Sequence, residues 1–232
     1  MRLARSAGVL LAAAAGAQIG PAATWLPRVR AFFPSLSGIG AADHVALTFD
    51  DGPDPRATPE FLDVLRAHDV RATFFLVGER ISRAPDVVRR MVDEGHEIGV
   101  HGWQHRYTLV ASPQLGRCIE AVGDVCGVRP RWFRPPYGVL SASAWLEARR
   151  CGLTPVLWTA WAKDWRADAT PASVRALLDP GIVGGATLLL HDSGSVQAPM
   201  TWTSALGALP EVLALCAGRG LRVGPLGEHR TG

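Results

Sequence analysis

The sequence predicts an α/β fold of parallel strands joined by helices, and three observations predict it. From His44 onward, short β-branched or aromatic runs alternate with helical patterns. The helical patterns carry their own punctuation, hydroxyl–proline pairs in front and glycines behind. Polar residues gather where the strand runs end. With 232 residues, 48% hydrophobic and 19% charged, the chain can bury a core and is not disordered. Parallel connections leave two architectures, a doubly wound sheet or a barrel. No G-x-G-x-x-G follows the first strand and no G-x-x-x-x-G-K-[ST] occurs, which counts against a nucleotide-binding sheet.

The first forty residues read apart from the rest. Arg2 and Arg5 precede an apolar run from Ala7 to Ala17, shorter than the roughly 20 residues of a membrane span. Small residues at Ala15 and Ala17 complete a secretory-signal pattern. Beyond Gln18 and Pro21, the group Trp25, Leu26, Phe32 and Phe33 with Arg28 and Arg30 reads as a membrane-surface segment or a stalk. An Ala-rich extension of a cytoplasmic protein is the alternative. Residues 1–40 are therefore set apart as signal-like or membrane-associating, and 41–232 form one domain. The location expected is extracytoplasmic, secreted or envelope-associated.

The strands expected are His44–Phe49, Ala72–Val77, Glu97–His101, Arg131–Arg134, Pro155–Thr159, Ala186–His191 and Leu221–Val223. Thr58-Pro59, Ser112-Pro113 and Thr170-Pro171 each offer an N-cap hydroxyl before a proline in the first turn. Gly95, Gly127, Gly152 and Gly220 are the corresponding stops. A net charge of +3 without a Lys/Arg cluster gives no reason to expect nucleic acid. Cys118, Cys126, Cys151 and Cys216 form no CxxC, which excludes a zinc ribbon or a thioredoxin-type dithiol; disulfides and buried thiols both remain open. A monomer is favoured.

Five strand ends carry chemistry: Asp50-Asp51-Gly52-Pro53, His101 with His105, Arg134-Pro135-Pro136-Tyr137, Asp164-Trp165, and His191-Asp192. In a parallel barrel these ends share one face, where active sites are built. Adjacent residues of a strand face opposite ways, so Asp50 and Asp51 can take separate roles, although Asp-Gly-Pro is also ordinary turn chemistry. The i, i+4 spacing puts His101 and His105 on one side of a helical turn, which suits a divalent metal. With an aspartate they make a two-His, one-carboxylate set; zinc hydrolases and iron oxygenases both use it. Arg134 can hold a carboxylate, or belong to a rigid exposed loop. Paired with Asp164, His191 would stay protonated as a general acid requires; a cap and a core histidine are the plain reading. Trp103, Trp158, Trp161 and Trp165 adjoin these segments, as sugar-stacking faces or as core.

Taken together, Thr48-Phe49-Asp50-Asp51-Gly52-Pro53, His101-x-x-x-His105, Arg134-Pro135-Pro136-Tyr137-Gly138, Asp164-Trp165 and Leu190-His191-Asp192 resemble the five ordered motifs of the polysaccharide deacetylases, carbohydrate esterase family 4 with its NodB homology domain. The resemblance implies a deformed (β/α)7-type barrel over residues 41–232. It implies a metal-dependent hydrolase that removes N-acetyl, or O-acetyl, groups from a glycan such as peptidoglycan or a chitin-like polymer. Asp51, His101 and His105 would hold the metal, zinc first, with cobalt, nickel or manganese as alternatives. Asp50 would be the base, Arg134 its orienting partner, and His191 the acid tuned by Asp164. The Tyr137 amide would stabilise the oxyanion, Leu190 would line the acetyl pocket, and Trp165 would contact substrate. One departure stands out: Gly102 follows the first histidine where the family has Ser or Thr, which puts the anchoring of that loop in doubt. A lipid-linked sugar as substrate, or an inactive carbohydrate-binding protein, are the competing readings.

Overall fold

The computed structural model describes residues 13–107, 114–194 and 200–229. In chain order the main elements are β1 (His44–Asp50), α1 (Ala57–Ala67), β2 (Thr73–Leu76), α2 (Pro85–Asp93), β3 (Glu97–Val100), α3 (Gln114–Cys126) and β4 (Trp132–Phe133). Then come α4 (Ala142–Arg150), β5 (Thr154–Pro155), β6 (Ala160–Trp161), α5 (Pro171–Leu178), β7 (Thr187–His191), α6 (Trp202–Gly218) and β8 (Arg222–Gly224).

Every strand pair is parallel, in the order β5-β4-β3-β2-β1-β7-β6, with β8 beside the start of β1. This is the deformed barrel that the motifs imply. The expected fifth strand, Pro155–Thr159, is instead two short ones. Thr154–Pro155 pairs with β4 at one edge and Ala160–Trp161 with β7 at the other. Between them Val156 N bonds to Phe133 O, and Thr159 N to Thr187 O. One extended run thus spans the seam of the barrel, and it divides because no single neighbour can pair with its whole length.

The strands' period of two sorts the side chains. On β1, Val45, Leu47 and Phe49 face the helices and join the main core; on β7, Leu188 and Leu190 do the same. The alternate residues Ala46, Phe75, Trp132 and Leu189 pack inside the barrel. Inward positions at the strand ends are therefore the ones that reach the cavity, a rule that decides the site below.

Helix punctuation follows the sequence in part. Thr170 caps α5 in a full capping box with Ser173. Gly95, Gly127, Gly152 and Gly220 all take φ between +68° and +80° behind their helices. Thr58 is not a cap: Asp54 Oδ1 accepts from Arg56 N and Ala57 N, so α1 starts earlier. The buried Thr58 hydroxyl donates instead to Asp192 Oδ2, 2.5 Å away. Ser112-Pro113 lies outside the described residues, as do residues 1–12 of the signal-like segment. All four cysteines are free thiols.

Ahead of the boundary expected at residue 40 the chain is also ordered into short elements. Residues 13–19 are helical, followed by the turns Gly20–Trp25, Pro27–Arg30 and Pro34–Ser37. These turns are tied to the barrel by Leu157 N to Leu36 O and Thr187 Oγ1 to Gly38 O. Among the described residues no helix is long and apolar enough to cross a membrane.

Candidate active site

At the C-terminal mouth of the barrel a cleft of about 700 Å³ is lined by Asp50, Asp51, His101, His105 and His191. The strand register explains the convergence. Asp50 of β1 pairs with His191 of β7, and the His101 amide bonds to Leu76 O beyond β3. Side chains from three different strand ends thus meet over the barrel interior.

Asp50 and Asp51 both line this cleft, contrary to the alternation expected of a strand. Asp51 follows the last strand residue with φ +77°, so the chain turns and points both carboxylates into the cleft. Arg80 NH1 fixes that turn by donating to Asp51 O at 2.6 Å and to Ser193 Oγ at 2.9 Å.

Asp50 is buried and bonds Arg134 NH1 at 2.7 Å. Arg134 is itself fully buried, so its other donors need partners. It finds them in Thr48 Oγ1 and Leu157 O, with its guanidinium 4.1 Å from the Phe75 ring centroid. The rigid exposed loop is thereby replaced by a buried clamp that leaves Asp50 one defined orientation.

Asp51 Oδ1 lies 3.3 Å from His101 Nε2 and 3.2 Å from His105 Nε2. It is buried and, among the described residues, accepts no hydrogen bond. His101 Nδ1 is 2.8 Å from Arg134 O. A carbonyl only accepts, so Nδ1 carries a proton; burial opposes a second one, but Asp50 and Asp51 raise the ring's pKa and favour it on Nε2, toward the carboxylate. The buried Asp51 oxygen therefore calls for positive charge from that side, which either a second proton on His101 or a metal cation supplies. All three ligand atoms lie within 4.8 Å of one another, so the donor set fits a divalent metal. Burial alone would raise the Asp51 carboxyl, yet the surrounding imidazoles of His101, His191 and His105 hold it well below the usual range. Burial pulls His105 down to about 4, which keeps it neutral and able to ligate.

The expected helical turn from His101 to His105 is absent; residues 101–107 form an irregular loop. Gly102 has φ +84°, a conformation side-chain-bearing residues rarely adopt and one that does not start a helix. The loop is anchored by its backbone, Gly78 N to Gly102 O and Glu79 N to Trp103 O, both 2.9 Å. These bonds answer the doubt raised by the missing hydroxyl. Trp103 turns away from the cleft, with the Arg117 guanidinium 3.6 Å from its ring centroid.

Opposite the ligand triad, His191 Nδ1 pairs with Asp164 Oδ1 at 2.9 Å, and the His191 amide with Asp164 Oδ2 at 2.7 Å. Burial disfavours the imidazolium, but Asp164, with Asp51 and Asp50 behind it, raises His191 to about 10. Leu190 does not reach the cleft. It points to the helix-side core, and Leu189, two residues before His191 on the same face, lines the cavity in its place. Trp165 stands 5.4 Å from the His191 ring. Tyr137, at φ +59°, packs 4.3 Å from His105 and 4.4 Å from Tyr107, centroid to centroid. Sequence reasoning missed Arg80, Leu189, Tyr107 and Trp25. The signal for Leu189 was the strand alternation itself; Trp25 carries none, because its place depends on how the N-terminal turns fold back.

A family model for polysaccharide deacetylases matches residues 38–156. A chitooligosaccharide deacetylase of Bradyrhizobium is 34% identical over 220 residues, covering 85% of this chain and 94% of that one. The peptidoglycan-N-acetylglucosamine deacetylase PgdA of Listeria monocytogenes is 36% identical over 153 residues, covering 64% of this chain but only 32% of PgdA. The chain thus spans about a third of that relative's length. The crystal structure of the Bc1960 peptidoglycan N-acetylglucosamine deacetylase superposes with a TM-score of 0.77 at 28% identity, covering 82% of this chain and 90% of the other.

Proposed function

The chain belongs to the polysaccharide deacetylase family, and from that premise we propose that it hydrolyses N-acetyl groups on β-linked N-acetylglucosamine glycans, peptidoglycan or chitin-like, outside the cytoplasm. One observation carries the reading: the Asp51–His101–His105 triad sits in one cleft with a clamped carboxylate on one side and an imidazolium on the other. An inert carbohydrate-binding protein has no use for that separation of base and acid.

A divalent cation held by Asp51, His101 and His105 would lower the pKa of water and polarise the acetamide carbonyl. Asp50, held by Arg134, accepts the proton of the attacking water as its oxygen bonds to the acetyl carbon. The Tyr137 amide takes part of the charge that develops on the carbonyl oxygen, a contribution worth about 3–4 kcal/mol for one such donor. His191 then donates its proton to the nitrogen as the C–N bond breaks, so acetate and a free amine leave. Asp164 keeps the imidazole protonated and oriented until that moment.

Purified protein should release acetate from acetylated chitooligosaccharides or peptidoglycan, lose the activity to a chelator, and regain it with zinc or cobalt. Asp50→Asn should lower turnover by about a hundredfold to ten-thousandfold, the usual worth of a general base. Absence of release from every acetylated glycan, with metal present, would sink the reading in favour of an inactive binding protein.

A further inference from the structure

The cleft has one wall that the family motifs do not supply. Trp25, from the turn Gly20–Trp25, lines the same cavity as Asp50 and His191. Its ring meets Trp161 edge-on at 6.5 Å; Trp161 lies 4.9 Å from Trp165, and Trp165 lies 5.4 Å from His191. Counted outward from the reactive imidazole, Trp25 is the third ring in the row. Tyr107 and Tyr137 line the same cleft.

The side chain is 45% exposed, whereas its neighbour Trp158 is 4% exposed and packed in the barrel. The turn that carries it is nevertheless fixed. Thr24 is buried and its hydroxyl donates to Pro21 O at 2.6 Å. Arg30 is also buried, its guanidinium 5.4 Å from the Trp158 ring centroid. Ser37 Oγ donates to Arg30 O at 2.8 Å, and Gln18 Nε2 to Ser143 Oγ at 2.6 Å. A large indole left open to solvent on a braced turn, at the mouth of a cleft, is placed for a ligand more than for the core.

We propose that Trp25 contacts carbohydrate, stacking on a sugar unit beyond the one whose acetamide reacts, so that the N-terminal segment is part of the glycan cleft. The inference rests on the reading of the cleft as a glycan site. Trp165, beside His191, faces the reacting sugar; Trp25, two rings further out, is reached only by a longer chain. The consequence is a dependence on oligomer length. A single N-acetylglucosamine gains nothing from Trp25, and a tetramer does.

The test is calorimetric binding of N-acetylglucosamine, its dimer and its tetramer to the full chain, in an Asp50→Asn background so that ligand survives. Trp25→Ala should weaken tetramer binding roughly threefold to tenfold, as expected for one aromatic contact, and leave the monomer unchanged. Trp25→Phe should keep most of the gain, and all three proteins should melt together. Equal tetramer affinity in Trp25→Ala, or an equal loss at every length, would overturn the inference. So would a variant that loses binding to anionic phospholipid vesicles while its oligosaccharide affinity stays put, since Trp25 would then serve a membrane surface. Acetate release is scored separately with Asp50 intact. A protein that binds by length yet releases no acetate refutes the deacetylase reading and leaves Trp25's role standing.

Discussion

The proposed base and the proposed acid sit in different surroundings. Asp50 is clamped by a buried guanidinium, while Asp164 faces His191 with both of its oxygens. Burial opposes the charge on His191, and the nearby carboxylates, Asp164 foremost, outweigh it and raise the ring to about 10. In the proposed mechanism the protonated form is the acid, so activity should fall as pH rises through that ionisation. Asp164→Asn removes the principal support, lowers the His191 pKa and moves the basic limb of the pH–rate profile down by roughly one to three units. A limb that stays put would show that another group sets it. At this scale what was legible was the gathering of polar residues at strand ends: Asp50, Asp51, His101, His105 and His191 line one cleft, with Arg134 paired to Asp50 and Asp164 to His191. What sequence did not convey was direction. The positive φ of Asp51 and the inward face of Leu189 depend on where β1 and β7 end, and that is settled by pairing with neighbours.

Elements position these groups through short, specific contacts more than through length. Helix α5 leads out of the Asp164 segment and starts with a Thr170–Ser173 capping box, read correctly from Thr170-Pro171. Thr170→Ala should cost about 1 kcal/mol of stability, seen as a lower urea midpoint, with acetate release unchanged. A loss of activity without a loss of stability would mean that the cap positions Asp164. The same signal misled at Thr58-Pro59, because a tertiary partner, the buried Asp192, claims the hydroxyl and leaves Asp54 to cap α1. Local sequence specifies a cap only where nothing distant competes for it. For the same reason the run around Pro155–Thr159 read as one strand: composition shows an extended segment but not that it must change partners at the seam.

The whole molecule is a barrel with its candidate site at one end and two buried histidines at the other. His44 opens β1 with its Nδ1 2.8 Å from that of His229, which in turn reaches Gly38 O and Gly185 O. Burial lowers His44 to about 4, and His96, whose Nδ1 accepts from Ala72 N, likewise to about 4. Both are neutral in the folded chain. Between the unfolded value near 6.5 and about 4 the unfolded chain binds protons that the folded one refuses, so their stabilisation is complete above 6.5 and declines toward 4. His191, raised to about 10, is protonated when folded but takes up its proton in the unfolded chain only as pH falls through 6.5, so it adds a small opposing slope at the top of the range. Asp192, raised to about 7 by burial, also works the other way, but it stands against three lowered histidines, since His105 is pulled to about 4 as well. The melting temperature should therefore fall by several degrees from pH 7 to pH 4.5; an unchanged or higher value would contradict the balance. The most direct measurement is the stoichiometry of zinc or cobalt bound to the purified chain and to its variants. Coordination by two remote stretches of chain predicts one ion per chain in the wild type and in Asp50→Asn, and none in Asp51→Asn or His105→Ala. Equal retention in all four proteins, or no ion in any, would contradict it.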